Sequence, residues 1–283
     1  MKKILDNSQA KAALANVRGY VFDIDGTLAL ADRRLSGYQA LPGAGDLLAL
    51  LRQRELPFVA FTNGSTKTPL QLSQELGRIG IEVDEQHTLT PVSVAVDHFR
   101  RRRFRRLLVL GGEGVWRPLI EAGFEVVRSP ERADDVDAVL IGWHPEFVLA
   151  DLDAACRAVW AGAGLFVVST APYVASRDGR TLGISGALAA AVRSITGKRA
   201  IVLGKPSAYA LACASNRLGI PPDQMAIVGD DPSLENAMAL RGGALSVGVH
   251  TGLSDAADFD RLPADSRPHL SLPGVAQLLE LVS

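Results

Sequence analysis

Short apolar runs that stop abruptly at polar or charged residues set the limits on how this chain can fold. Val17–Phe22, broken only by Arg18, ends in Asp23-Ile24-Asp25-Gly26-Thr27. Phe58–Phe61 ends in Thr62-Asn63-Gly64-Ser65-Thr66. Ile201-Val202-Leu203 ends in Gly204-Lys205, and Ala226-Ile227-Val228-Gly229 ends in Asp230-Asp231. Such runs are short and lack the alternation of a half-wet strand, so they read as strands of a parallel sheet covered on both faces. Leu47, Leu48, Leu50 and Leu51 mark a helix with one apolar face, and a second helix is expected over Pro69–Ile79. Strand alternating with helix is the doubly wound α/β pattern. Ligands of such sheets sit at the carboxyl ends of the strands, where all four polar clusters fall.

The first cluster is the most specific. Asp23 and Asp25 lie two residues apart, so they would share a side if the strand continued. Gly26 lets the chain turn sharply just after them. Two carboxylates this close need a retained proton or a cation between them. Mg²⁺, which keeps several waters and takes few protein oxygens, suits a hydrolytic site of this kind. The bland alternative is an ordinary Asp-Gly turn at a strand end.

Residues 1–16 read as an amphipathic helix leading into the first strand. From about residue 84 the alternation restarts, with strands over Leu107–Leu110, Val136–Trp143 and Leu165–Thr170 and a helix over 149–161. We expect this to be an α/β unit inserted over 84–183 into a core built from 1–83 and 184–283. Ala244–Val249 is the last strand expected, and 273–282 a closing helix.

Charge and composition exclude several classes of function. Thirty basic and 31 acidic side chains give a net charge of -1. That balance argues against a nucleic-acid or membrane-surface partner, and the Arg100–Arg106 run reads as a solvated helix end. No apolar run reaches the ~20 residues of a membrane span, and the N-terminus lacks an apolar signal core. Cys156 and Cys213 have no metal or redox spacing, which fits buried thiols in a reducing, cytoplasmic setting. The five histidines show no triad or ligand spacing.

Four strand ends thus offer paired acids, hydroxyl and amide donors, a lysine and a second acid pair. Together they are what phosphoryl transfer requires. In this the chain resembles the haloacid dehalogenase (HAD) superfamily, whose four motifs match Asp23-Ile24-Asp25-Gly26-Thr27, Thr62-Asn63, Lys205 and Gly229-Asp230-Asp231. Gly204-Lys205-Pro206-Ser207, Ser185-Gly186-Ala187-Leu188 and Val249-x-Thr251-Gly252 resemble its NagD-like, p-nitrophenylphosphatase-type subgroup, which has a large α/β cap. The resemblance covers nearly the whole chain and implies roles. Asp23 would be the nucleophile that forms an aspartyl-phosphate, and Asp25 the acid and then the base. Thr62, Asn63 and Gly64 would hold phosphate, together with Lys205, which would also neutralise charge. Asp23, Asp25 and Asp230 would bind Mg²⁺, and Thr27 would support Asp25 by a hydrogen bond.

Three departures from the subgroup stand out. Gly64 replaces a second Asn after Thr62-Asn63. The fourth motif leaves either Asp231 or Glu235 as the supporting acid. The cap stretch usually reading Thr-Asn-Pro-Asp is Thr170-Ala171-Pro172-Tyr173, so Thr170, Ala171 and Tyr173 are candidate specificity positions. The resemblance implies a phosphatase for a small phosphorylated metabolite and a possible homodimer through the cap. A catalytically idle phosphate-ester sensor and a phosphotransferase or phosphomutase are the alternatives.

Overall fold

The computed structural model describes residues 5–131 and 133–283. The start of the expected N-terminal helix, residues 1–4, lies outside the described residues; its remainder is α1 (Asn7–Leu14). The first stretch continues with β1 (Gly19–Phe22), a small antiparallel flap of β2 (Ala29–Leu30) and β3 (Gln39–Ala40), α2 (Ala44–Gln53), β4 (Phe58–Phe61), α3 (Pro69–Gly77) and β5 (Thr88–Leu89). Next come α4 (Pro91–Arg102), β6 (Arg106–Leu110), α5 (Glu113–Glu121), β7 (Glu125–Arg128), β8 (Ala138–Ile141), α6 (Leu149–Trp160) and β9 (Gly164–Val167). A hairpin of β10 (Tyr173–Ser176) and β11 (Gly179–Leu182) precedes α7 (Ser185–Thr196), β12 (Ile201–Val202) and α8 (Ala208–Leu218). The chain closes with β13 (Met225–Gly229), α9 (Ala237–Gly242), β14 (Leu245–Val249), α10 (Ala256–Arg261), β15 (Leu270–Leu272) and α11 (Val275–Val282).

Among the described residues the strands outside the flap and the hairpin form two parallel sheets. The first has the order β15-β14-β13-β1-β4-β5 and the second β12-β9-β8-β6-β7. In the first sheet the chain winds outward from β1 through β4 to β5, then returns beside β1 at β13 and winds the other way. The reversal between β1 and β13 is the switch point at which such folds bind ligands. Strand β1 is buried throughout, as its unbroken apolar run requires. Helices α3 and α4 both begin with Thr-Pro: Thr68 and Thr90 cap them and a proline takes the first turn, whose N–H needs no partner.

Both expected boundaries of the inserted unit shift once strand pairing is known. Thr88–Leu89, expected in the insert, pairs with β4 in the first sheet. Helix α7 packs on α6 and β9, and Ile201–Val202 pairs with β9, so residues 185–202 belong with the second sheet rather than the core. The two units also share an apolar layer. Val59 and Phe61 of the first sheet and Leu140 and Phe166 of the second fall in one buried cluster, bridged by α4 and α8. Both cysteines are buried free thiols, as expected.

Candidate active site

Strand β1 delivers Asp23 and Asp25 to the switch point, with Ile24 between them turned into the core. Gly26 follows with φ +102, and a Cβ there would stand 2.6 Å from Asp230 Oδ2. Only glycine can both adopt this conformation and let the loop after β1 close on the end of β13.

Asp25 is buried and held from two sides. Thr62 Oγ1, at the end of β4, donates to its Oδ2 at 2.8 Å, and Tyr38 Oη donates to its Oδ1 at 3.2 Å. Thr62 Oγ1 in turn accepts from Gly64 N at 2.8 Å. The expected partner Thr27 plays no such part. It is fully buried, and its hydroxyl has no partner among the described residues. Tyr38, from the flap, takes the place expected of it. The sequence signal was slight: Tyr38 is the sole aromatic between Phe22 and Phe58.

Lys205 reaches the site from the other sheet. Its ammonium, 1% exposed, donates to Asp23 Oδ1 at 2.5 Å, to the Phe61 carbonyl, and pairs with Glu235 Oε1 at 2.7 Å. Burial works against its charge, but Asp23 and Glu235 outweigh that and hold its pKa above the ordinary lysine value. Removing this lysine would leave two buried carboxylates uncompensated, a cost of about 3–5 kcal/mol. The backbone of Lys205 is fixed by the Asn63 side chain, which accepts from its N–H at 2.8 Å and donates to its carbonyl at 2.9 Å. Asn63 is therefore a brace for Lys205, and only its backbone remains for phosphate.

Position sets Asp231 and Glu235 apart. Glu235 lies in a π-helical turn, Pro232–Asn236, is 2% exposed and faces Lys205. Asp231 caps that turn, accepting from Ser233 N at 2.7 Å. Asp230 Oδ2 accepts from Leu253 N at 2.5 Å. Burial raises the pKa of Asp23, Asp25, Asp230 and Glu235; Lys205 opposes this at Asp23 and Glu235, and the charge of Asp23 adds to it at Asp230.

Asp23 Oδ2 is buried without a hydrogen-bond partner among the described residues. A buried carboxylate oxygen of this kind calls for a cation or a proton. Among the described residues no three His, Cys, Asp or Glu side chains form a ready metal cage. Two carboxylates, Asp23 and Asp230, with the Asp25 carbonyl do fit a small hard divalent cation that keeps its waters.

Above these acids a cavity opens, roofed by the second unit. Gly64, Asp231 and Glu235 line its floor, and Ala171 and Tyr173 line its roof; Thr170 is exposed outside it. Trp143 and Ser185 also face it, and sequence reasoning missed both as lining residues.

A family model described as haloacid dehalogenase-like hydrolase matches residues 20–125, and a second, HAD-hydrolase-like, matches 202–278. The chain belongs to the haloacid dehalogenase-like hydrolases. Chronophin from Rattus norvegicus is 29% identical over 98% of this chain and 91% of its own. Ribonucleotide monophosphatase NagD from Escherichia coli K12 is 26% identical over 93% of this chain and 98% of its own. The solved structure of NagD superposes with a TM-score of 0.81, covering 92% of this chain and 98% of NagD. A 4-nitrophenylphosphatase from Thermotoga maritima, 24% identical, has the same fold at a TM-score of 0.84, over 96% of this chain and 99% of its own. As a NagD-like member, this HAD hydrolase has an α/β core with the cap expected of that subgroup.

Proposed function

We propose that this HAD hydrolase is a Mg²⁺-dependent phosphatase that cleaves a small cytoplasmic phosphomonoester through an aspartyl-phosphate. The phosphatases among its relatives support the reaction class. The observation that carries the mechanism is the contrast between two neighbouring acids. Asp23 presents a carboxylate gripped on one oxygen by Lys205 and unpartnered on the other. Asp25, two residues on, is held by hydroxyl donors on both of its oxygens.

In this reading the Asp23 carboxylate attacks phosphorus as the ester P–O bond breaks. Asp25 gives its proton to the departing alkoxide oxygen. The same carboxylate then removes a proton from the water that attacks the phosphoryl group, releasing Asp23 and inorganic phosphate. In this reading Lys205 offsets charge between Asp23 and the phosphoryl group, and the backbone at Asn63 is left to hold a phosphoryl oxygen. Glu235 keeps Lys205 aimed at Asp23. Bound by Asp23, Asp230 and the Asp25 carbonyl, Mg²⁺ would offset the charge gathered on the acids and the phosphate.

Phosphate release from a panel of esters, with Mg²⁺ and with EDTA, tests the reading. Asp23→Asn is expected to lower kcat by more than about a thousandfold with the fold intact. Full activity in that variant would remove Asp23 as nucleophile. A homodimer through the cap belongs to the same proposal, since α6 exposes Leu149 (79%) and Trp160 (62%). A monomeric mass by light scattering would remove it.

A further inference from the structure

The roof of the cavity carries no charge. Among the described residues the second unit lines it with Trp143, Ala171, Tyr173, Val174 and Ile184, and the hydroxyls added, besides that of Tyr173, are those of Ser169 and Ser185. Arg180 lies over the Tyr173 ring at 5.0 Å but does not line the cavity. The floor, by contrast, is acidic, with Asp23, Asp25, Asp230, Asp231 and Glu235. A leaving group with its own carboxylate or second phosphate would meet a roof that offers no cation to pair it. Burying a charge in such a place without a partner is strongly unfavourable.

Of the two buried serines on the roof, one has an uncommitted hydroxyl. Ser169 Oγ already accepts from Ala171 N at 3.1 Å. Ser185 is 7% exposed, lines the cavity, and its hydroxyl has no hydrogen-bond partner among the described residues. It opens α7, a twelve-residue helix whose N-cap, Ile184, offers no side-chain cap. Helix start and hydroxyl together present donors to the cavity. The helix end alone would suit an acceptor of either charge. Among the described residues no cation lines the roof to pair an anion, and this selects the neutral one.

We propose that the substrate is the phosphate monoester of a compact, uncharged alcohol bearing a hydrogen-bond acceptor, which Ser185 and the start of α7 recognise. This rests on the phosphatase reading of the same site. Two shape-matched pairs that differ by one carboxylate charge test it: glycerol 3-phosphate against 3-phosphoglycerate, and 4-acetylphenyl phosphate against 4-carboxyphenyl phosphate. The neutral member is expected to have the higher kcat/KM in both pairs, by about tenfold or more. Ser185→Ala should lower kcat/KM for 4-acetylphenyl phosphate at least about fivefold more than for phenyl phosphate, and Ser185→Thr should restore the difference. Melting curves of both variants separate this from misfolding. Equal or better turnover of the carboxylated esters overturns the proposal, and so does an equal loss on both aryl esters. No phosphate release from any ester would instead overturn the phosphatase reading, and this substrate class with it.

Discussion

Asp25 shows how two residues far apart in the chain define one acid. Thr62 Oγ1 lies 2.8 Å from one oxygen and Tyr38 Oη 3.2 Å from the other, so the carboxyl cannot rotate freely. Both bonds favour its ionised form and partly offset the burial that raises its pKa. An acid that delivers a proton matters most when the departing alkoxide is a poor leaving group. Tyr38→Phe should therefore cost kcat/KM roughly tenfold more on an alkyl phosphate than on p-nitrophenyl phosphate, whose leaving group needs no proton. A purely structural role for Tyr38 would lower both equally. The acids, Thr62 and Lys205 were legible because each ends an apolar run. Tyr38 was not, because a residue in an irregular loop carries no periodic signal and only the folded flap brings it to Asp25. Thr27 misled in the opposite way: the resemblance implied a bond that the turn at Gly26 does not make.

At the scale of elements, a two-residue strand does unexpected duty. Strand β12 pairs with β9 at the edge of the second sheet, yet three residues later its extension places Lys205 in the first sheet's active site. Its apolar run alone could not say which sheet it joins, since both sheets are parallel and buried. The crossing is made at Gly204. A Cβ there would lie 2.4 Å from the Val168 carbonyl and 2.5 Å from Asn63 Oδ1. Gly204→Ala must push aside either that backbone or the Asn63 brace. We expect kcat to fall by roughly ten- to a hundredfold through displacement of Lys205, with melting lowered by the equivalent of about 1–3 kcal/mol. An unchanged kcat would mean that the lysine is positioned without the brace. The flap and the β10–β11 hairpin form a second seam. Arg177 N donates to the Ala31 carbonyl at 2.8 Å, and Arg33 N donates to Asp178 Oδ2 at 3.3 Å. The hairpin that supplies Tyr173 to the cavity thus leans on the flap that supplies Tyr38 to Asp25.

Across the whole molecule the strongest electrostatic feature is the acidic cluster at the switch point, with Lys205 the cation buried within it. Burial and mutual repulsion raise the folded-state pKa of Asp23, Asp230 and Glu235, that of Glu235 to about 7. Unfolded carboxyls titrate near pH 4. Between these limits the metal-free folded state binds more protons than the unfolded state, so these groups stabilise the fold at the acid end and lose that contribution as pH rises through about 7. In EDTA their part of the melting temperature should therefore fall between about pH 5 and pH 8. A divalent cation binds the ionised, folded cluster and acts in the opposite sense. On the proposed reading, Mg²⁺ at a hundred times its Kd would add about 2.7 kcal/mol, a shift of several degrees for a chain this long. That gain should be larger near pH 8 than near pH 5, where protons compete for the same oxygens. Because exposed carboxylates elsewhere contribute their own pH dependence, the comparison that isolates the cluster is with Asp230→Asn. This variant keeps Lys205, lacks one proposed ligand, and should lose most of the Mg²⁺-dependent shift. Calorimetry of the two proteins at both pH values would decide the matter: a Mg²⁺ shift that survives Asp230→Asn would move the metal away from β13.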